Sequence, residues 1–305
     1  MPTIKIGTGP PMAMDERAAA DAPAPADAAR LIEESGLESL WVPDLLIGDG
    51  TPALEPALTL AAAAAATERV KIGFSVLVVP LRPAPWLAAQ VATLQHLSGD
   101  RLLLGVGSGG FPDAPFWQAL GVPAKGRGRA TDAALAMLPD LLAGRPVTVA
   151  DGAPPLTLAP PAALPPVLVG GSEHAFTRVL DHGHGWFPSL ISPADLAPAA
   201  ARLRERAAER GQAPPTVTVG GHLALGTGPD ARAAHDALVR MLVADFAMAP
   251  EAAEHVPMTA RTPAELADIY AAYQDAGADR VVAGADNGDW RTQLDFIAEA
   301  RALLA

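Results

Sequence analysis

The 305-residue chain contains no cysteine. That excludes disulfides, thiolate metal sites and a cysteine nucleophile, and it fits a reducing compartment. Charge is scarce at 18% of residues, and the basic side is the poorer one: 22 Lys and Arg stand against 34 Asp and Glu, a net charge of −12. No run of Lys or Arg offsets this deficit. A phosphate backbone would be repelled, so no nucleic-acid partner is expected. Long apolar runs are missing as well. The alanine-rich stretch ALTLAAAAAATERV is too short and small-chained to span a membrane, which takes about 20 strongly apolar residues. The opening MPTIKIGTGPPM has no charged region followed by an apolar one, so no signal peptide and a cytoplasmic location are expected. No linker, charge block or short-period repeat divides the sequence, which predicts one domain over residues 1–305.

What is present is half hydrophobic, enough for a substantial core. The 31 prolines fall outside the periodic segments and are read as loop punctuation. Short β-branched or leucine runs predict strands at 3–9, 37–44, 69–79, 101–107, 165–171, 185–190, 215–225 and 279–284. Helical spacing predicts helices at 26–36, 53–67, 84–98, 127–143, 173–182, 194–210, 230–247, 263–276 and 290–304. The Asp151-Gly152 pair inside 145–158 predicts a small hairpin, and 248–261 has no regular pattern. Strands alternating with helices imply a parallel sheet, and eight such units fit a (β/α)8 TIM barrel with small insertions better than an open sheet.

Residues 100–115, DRLLLGVGSGGFPDAP, spell G-x-G-x-x-G at Gly105, Gly107 and Gly110. A dinucleotide loop must open directly into a helix that receives the pyrophosphate. Here Pro112 and Pro115 follow, an immediate helix is disfavoured, and the match falls on the fourth strand. The alternative is a barrel strand that ends in glycines, either to let backbone approach a flat ligand or simply to turn.

Four segments resemble the luciferase-like monooxygenase superfamily, in particular its branch that uses the deazaflavin coenzyme F420. They are IGFSVLVVPLRPAPWLAAQVATLQHLSGDRLLLGVGSGG (72–110), ARLIEESGLESLWVPD (29–44), PPVLVGGSEHAFTRVLDHGHGWFPS (165–189) and TPAELADIYAAYQDAGADRVV (262–282). The resemblance implies a (β/α)8 barrel and an F420- or flavin-dependent oxidoreductase. It places Asp44 near the deazaflavin ring and a non-prolyl cis peptide at Ser75-Val76 behind it. Ser108 and Gly109 match backbone beside the cofactor. Gly170, Gly171 and Ser172 match a phosphate-binding turn that His174 could join, and Ser189 matches a polar position after the sixth strand. Two departures stand out. Where the sugar-phosphate dehydrogenases of this branch carry a catalytic His this chain has Leu45, and where they carry a catalytic Glu it has Gly110.

The resemblance therefore implies a reductase that uses reduced F420 on an activated C=C or C=N of a small molecule. His222 is the candidate proton donor, against the reading of an ordinary packed strand histidine. An FMN-dependent monooxygenase and a non-catalytic cofactor-binding barrel are the alternatives. A homodimer and a separate reductase that supplies reduced cofactor are the protein partners the resemblance implies. Other residues offer weaker leads. Arg82 is a candidate anion contact or a surface ion pair, and Asp113 and Trp117 are candidate pocket walls. His182 and His184 lack a third ligand, so no metal is expected. The segment 246–261 is read as a cover over the pocket.

Overall fold

The computed structural model describes residues 3–44, 52–110 and 113–304. Its strands are β1 (Lys5–Thr8), β2 (Ser39–Val42), β3 (Lys71–Phe74), β4 (Leu77–Val78), β5 (Leu102–Gly107), β6 (Val167–Gly170), β7 (Gly185–Phe187), β8 (Thr216–Leu225), β9 (Met258–Ala260) and β10 (Arg280–Ala285). Every pairing between them is parallel, in the order β10-β1-β2-β3-β5-β6-β7-β8. The ring closes where β10 returns to β8, from Arg280 opposite Thr218 to Ala285 opposite Leu223. The predicted strand 69–79 is one barrel stave in two pieces. β3 meets the start of β5 and β4 meets its end. Between them the Ser75-Val76 peptide is cis, as the resemblance implied. The result is an eight-staved (β/α)8 barrel, with β9 added outside against the far end of β8.

The surrounding helices begin where their sequences say. Pro25, Pro56, Pro193, Pro229 and Pro263 occupy first-turn positions, where the missing N–H costs nothing. Glu55, Ser192, Thr262 and Asp289 cap their helices by accepting a backbone N–H through the side chain. Gly36 and Gly99 follow helix ends with φ of +80° and +61°, the left-handed turn that favours glycine. The predicted hairpin is a single antiparallel bridge, Val147 with Leu156.

Three expectations need correction. Pro139 and Pro198 lie inside helices Arg127–Leu142 and Pro193–Glu209, so not every proline is loop punctuation. Both helices bury a leucine face, and that packing outweighs one lost backbone bond. The segment 248–261 is not irregular: it holds helix Pro250–Ala253 and β9. Helices Met14–Ala19 and Pro115–Ala119 were not anticipated, being too short to carry a periodic signal. Among the described residues, no helix is long and apolar enough to cross a membrane.

Two apolar layers result. The larger lies between the staves and the helices. The smaller fills the barrel: Trp41, Leu103, Leu168, Phe187 and Val282, with Val76 packed against them. Trp41 is 2% exposed and meets Phe187 edge-on at 5.3 Å between ring centroids. The staves on either side make room for it by having no side chain. A Cβ on Gly73 would lie 2.5 Å from the indole, and one on Gly7 would lie 2.7 Å from its nitrogen. At the other end of the barrel Arg101 ties the helix layer down. Its guanidinium donates to the carbonyls of Ala64, Thr67, Val70 and Ser98 and to the Thr67 hydroxyl. Those carbonyls include unsatisfied acceptors at two helix ends.

Gly73→Ala should destabilise the fold by about 2 kcal/mol in urea unfolding, the scale of an overpacked core. In a Trp41→Leu background the same methyl meets no indole, and its cost should fall by more than half. Equal costs in both backgrounds would show that Trp41 is not what Gly73 accommodates.

Candidate active site

Inner-face residues follow from strand alternation. On β2 they are Ser39 and Trp41, on β8 Thr218, Gly220 and His222, and on β10 Arg280, Val282 and Gly284. Above Trp41, at the C-terminal ends of the staves, lies a cavity of about 650 Å³, a size usual for small-molecule sites. Trp41, Phe187 and Val282 line it, and so do Gly9, Ser75, Ser189, Gly220 and Gly284. A Cβ on Gly284 would meet nothing within 4 Å, so this stave opens onto free space.

Three of the residues lining the cavity are titratable: His222, Asp286 and Glu16. His222 Nδ1 lies 3.0 Å from Asp286 Oδ2 and 3.2 Å from Oδ1. The hydrogen bond to Asp286 raises the imidazole pKa above its ordinary value, against the desolvation that lowers it; the charges of Asp286 and Glu16 add to the rise. Glu16 is raised too, chiefly by burial and then by the neighbouring charges of Asp15 and Asp286. Arg17, one residue on, donates to the carbonyls of Pro11 and Pro23 and so holds the 10–12 loop that forms one cavity wall. The sequence reading found His222 and missed Glu16 and Asp286. Glu16 sits on an unanticipated six-residue helix, and only barrel closure brings Asp286 to His222.

The other candidates scatter around this cavity. Ser75 and Ser189 line it. Val76 packs inside the barrel, and Gly105 and Gly107 of the G-x-G-x-x-G stretch, with Gly170 of β6, accommodate it. A Cβ on Gly107 would lie 2.9 Å from Val76 Cγ2 and one on Gly170 3.2 Å, while one on Gly105 would lie 1.9 Å from the Phe74 carbonyl oxygen. What approaches that backbone is the protein's own β3–β4 break, so the expected close approach is filled from within. No helix opens directly after β5. Gly109 has φ +83°, sits against Trp117, and its carbonyl accepts from Arg127. Ser108 is half-buried beside it.

Asp44 does not line the cavity. Its side chain is fully buried, Arg82 donates to both oxygens at 2.6 and 3.0 Å, and the Val78 N–H donates at 2.8 Å. Asp44 therefore fixes β4 just after the cis peptide, and Arg82 is committed to an ion pair. Gly170 is the half-buried last residue of β6, and Gly171 and Ser172 form an exposed turn after it. Gly171 has φ +125°, and the Ser172 hydroxyl lies 3.3 Å from His174 Nδ1. Leu45 lies outside the described residues. Gly110 is exposed, and a Cβ there would meet nothing. His184 is engaged by the Val167 N–H, and among the described residues no cluster of three or more His, Cys, Asp or Glu is placed to hold a metal ion. No residue of 246–261 lines the cavity, so the expected cover is not observed; β9 instead extends β8, with Met258 against Gly221.

The sequence pattern of luciferase-like monooxygenases matches residues 7–283. An uncharacterized protein of Mycobacterium tuberculosis is 31% identical over 171 residues, 55% of this chain and 59% of that one. An F420-dependent glucose-6-phosphate dehydrogenase of Beutenbergia cavernae is 42% identical over 129 residues, 39% of this chain and 37% of that one. These matches span less than two thirds of either relative. An F420-dependent secondary alcohol dehydrogenase, solved with an F420-acetone adduct, shares the fold with a TM-score of 0.78 at 18% identity over 99% of both chains.

By NMR, His222 should titrate above about 6.5, the ordinary value for histidine. Asp286→Asn should bring its pKa down. A raised folded-state pKa means that the pairing stabilises the fold below the unfolded value and that this contribution is lost as pH rises through the folded one. An unchanged titration in Asp286→Asn would remove the carboxylate as the cause.

Proposed function

The chain belongs to the luciferase-like monooxygenase family, and from that premise we propose that it is an oxidoreductase using a deazaflavin or flavin in the cavity above Trp41. One observation carries the reading: an apolar floor of Trp41, Phe187 and Val282 lies below glycine-rich strand ends, with an Asp-oriented histidine at its rim. The fit to a planar ring is physical. Gly9, Gly220 and Gly284 offer backbone rather than side chains, and the space beside Gly284 is one that a Cβ would begin to fill. Ser75 and Ser189 would hold the ring's polar edge, with Val76 behind it. Gly170, Gly171, Ser172 and His174 would receive a phosphate, with Ser108 and Gly109 alongside. When bound, the cofactor would supply the reducing equivalents.

The chain's own part is positional and protic. Asp286 holds His222 through Nδ1, which leaves Nε2 to face the substrate. An imidazole whose pKa is raised by its bond to Asp286 holds its proton more strongly and can release it to a substrate atom. We take coenzyme F420 as the cofactor, and as the substrate a small molecule with an activated C=C or C=N. The second reading is an FMN monooxygenase fed by a separate reductase. The family pattern, which is that of monooxygenases, supports it.

Paired fluorescence titrations with F420 and FMN test the proposal. F420 should bind tighter. His222→Gln should keep the cofactor Kd and lower kcat on an alkene and imine panel about 100-fold, the scale of a lost general acid. Tighter FMN binding with oxygen uptake would move the assignment to the second reading, and binding of neither cofactor would overturn both.

A further inference from the structure

The cavity is polar in one sense only. Glu16 and Asp286 line it, and no Lys or Arg does. The segments outside the described residues, 45–51 and 111–112, contain no Lys or Arg either. Two arginines on adjoining segments are already engaged. Arg82 pairs with Asp44 and Glu55, and Arg17 donates to the Pro11 and Pro23 carbonyls. The histidine does not reverse the sign: two carboxylates accompany one imidazole, so with both ionised the group is net negative whether His222 is protonated or neutral. A third acceptor stands apart from these charges. Gln293, on helix Trp290–Ala302, lines the same cavity, is 8% exposed, and its buried Oε1 has no hydrogen-bond partner. A buried acceptor without a donor is uncommon in a folded chain and calls for one. Beneath these groups, the aromatic floor of Trp41 and Phe187 suits a cation better than an anion, and the Arg280 guanidinium, 5.8 Å from the Trp41 ring, lies below that floor and does not line the cavity.

We propose that this cavity selects substrates bearing a protonated nitrogen, an amine or an iminium, over neutral and anionic molecules of the same shape. The proposal rests on the functional reading above for the cavity being the substrate site. Within it, an iminium is the charged member of the C=N class, and its N–H or adjacent positive charge would face Glu16 and Asp286. Carboxylates and phosphate esters would meet two like charges, and the one cationic group at hand, His222 when protonated, is already paired with Asp286.

Benzylamine, benzyl alcohol and benzoate share a ring and nearly a shape, and at neutral pH they are a cation, a neutral molecule and an anion. Their binding to the full chain, with and without saturating F420, can be followed by calorimetry and by the fluorescence of Trp41 and Trp290, both of which line the cavity. Benzylamine should bind about fivefold tighter than benzyl alcohol, the upper end of what a partly exposed ion pair delivers, and benzoate should be weakest. Glu16→Gln should erase most of that preference and leave the benzyl alcohol Kd within about twofold, which also shows the variant is folded. Added salt should shrink the preference in the parent chain. Equal binding of all three, benzoate binding tightest, no binding at millimolar concentration, or a preference that survives Glu16→Gln would each overturn the proposal. The cofactor titrations are read separately. If neither F420 nor FMN binds while the ligand order holds, the functional reading fails and the charge selection stands. If the cofactor binds and the order is reversed, the functional reading stands and the charge selection fails.

Discussion

The indole of Trp41 inside the barrel is the constraint from which the site follows. A tryptophan on an inner-face position occupies more of the lumen than one stave's share. It fits because Gly7 and Gly73, on the two flanking staves, contribute no side chain, and a methyl on either would lie within 2.8 Å of the ring. Phe187 meets the indole edge-on and Val282 completes the layer. Below it lie Ser39 and Arg280, the latter with its guanidinium 5.8 Å from the indole centroid. Above it, among the described residues, nothing comparably large fills the barrel: the cavity-lining positions there include Gly9, Ser75, Ser189, Gly220 and Gly284. One bulky residue closes the lumen, and small residues above it leave a cavity where barrel sites lie, at the C-terminal ends of the strands.

The same economy of side chains explains the glycine stretch after β5. Its spelling matches a phosphate loop, but at Gly105 and Gly107 the glycines report where a Cβ is not tolerated, while Gly110 stands in open space. In this fold the neighbours are the Phe74 carbonyl and the Val76 side chain, displaced inward where the stave breaks between β3 and β4. Asp44 belongs to this arrangement as well. By accepting from Val78 and Arg82 it holds the far side of the break.

The fold was legible because each stave and each long helix carries its own periodic signal, and eight alternations admit few architectures. Capping residues and αL glycines set several boundaries to within two residues, as at Ala84–Ser98. The site was less legible, for a physical reason. His222 stood out as a polar residue in a strand, whereas Asp286 lies 64 positions away and reads as an ordinary loop acid until β10 closes on β8. Glu16 rides a six-residue helix among prolines that hides from any window of helical length. Pro139 and Pro198 misled in the other direction, since a local preference was overruled by a buried leucine face. Resemblance reached Ser75 and Ser189, which line the cavity, but residue type and spacing would have passed over both.

Closure of the ring also decides what the rim can do. The β8–β10 register sets His222 opposite Gly284. Alternation then returns Asp286, two residues on, to the same inner face as His222. A side chain at 284 would project into the lumen beside His222; glycine leaves that volume empty. The register thus produces two features at once, an imidazole oriented by a carboxylate and a free space beside it. Shifting β10 by one residue would turn Gly284 and Asp286 outward together and bring Ala285 and Asn287 in. The acid that orients His222 and the gap that admits a ligand therefore depend on one pairing, which also completes the barrel.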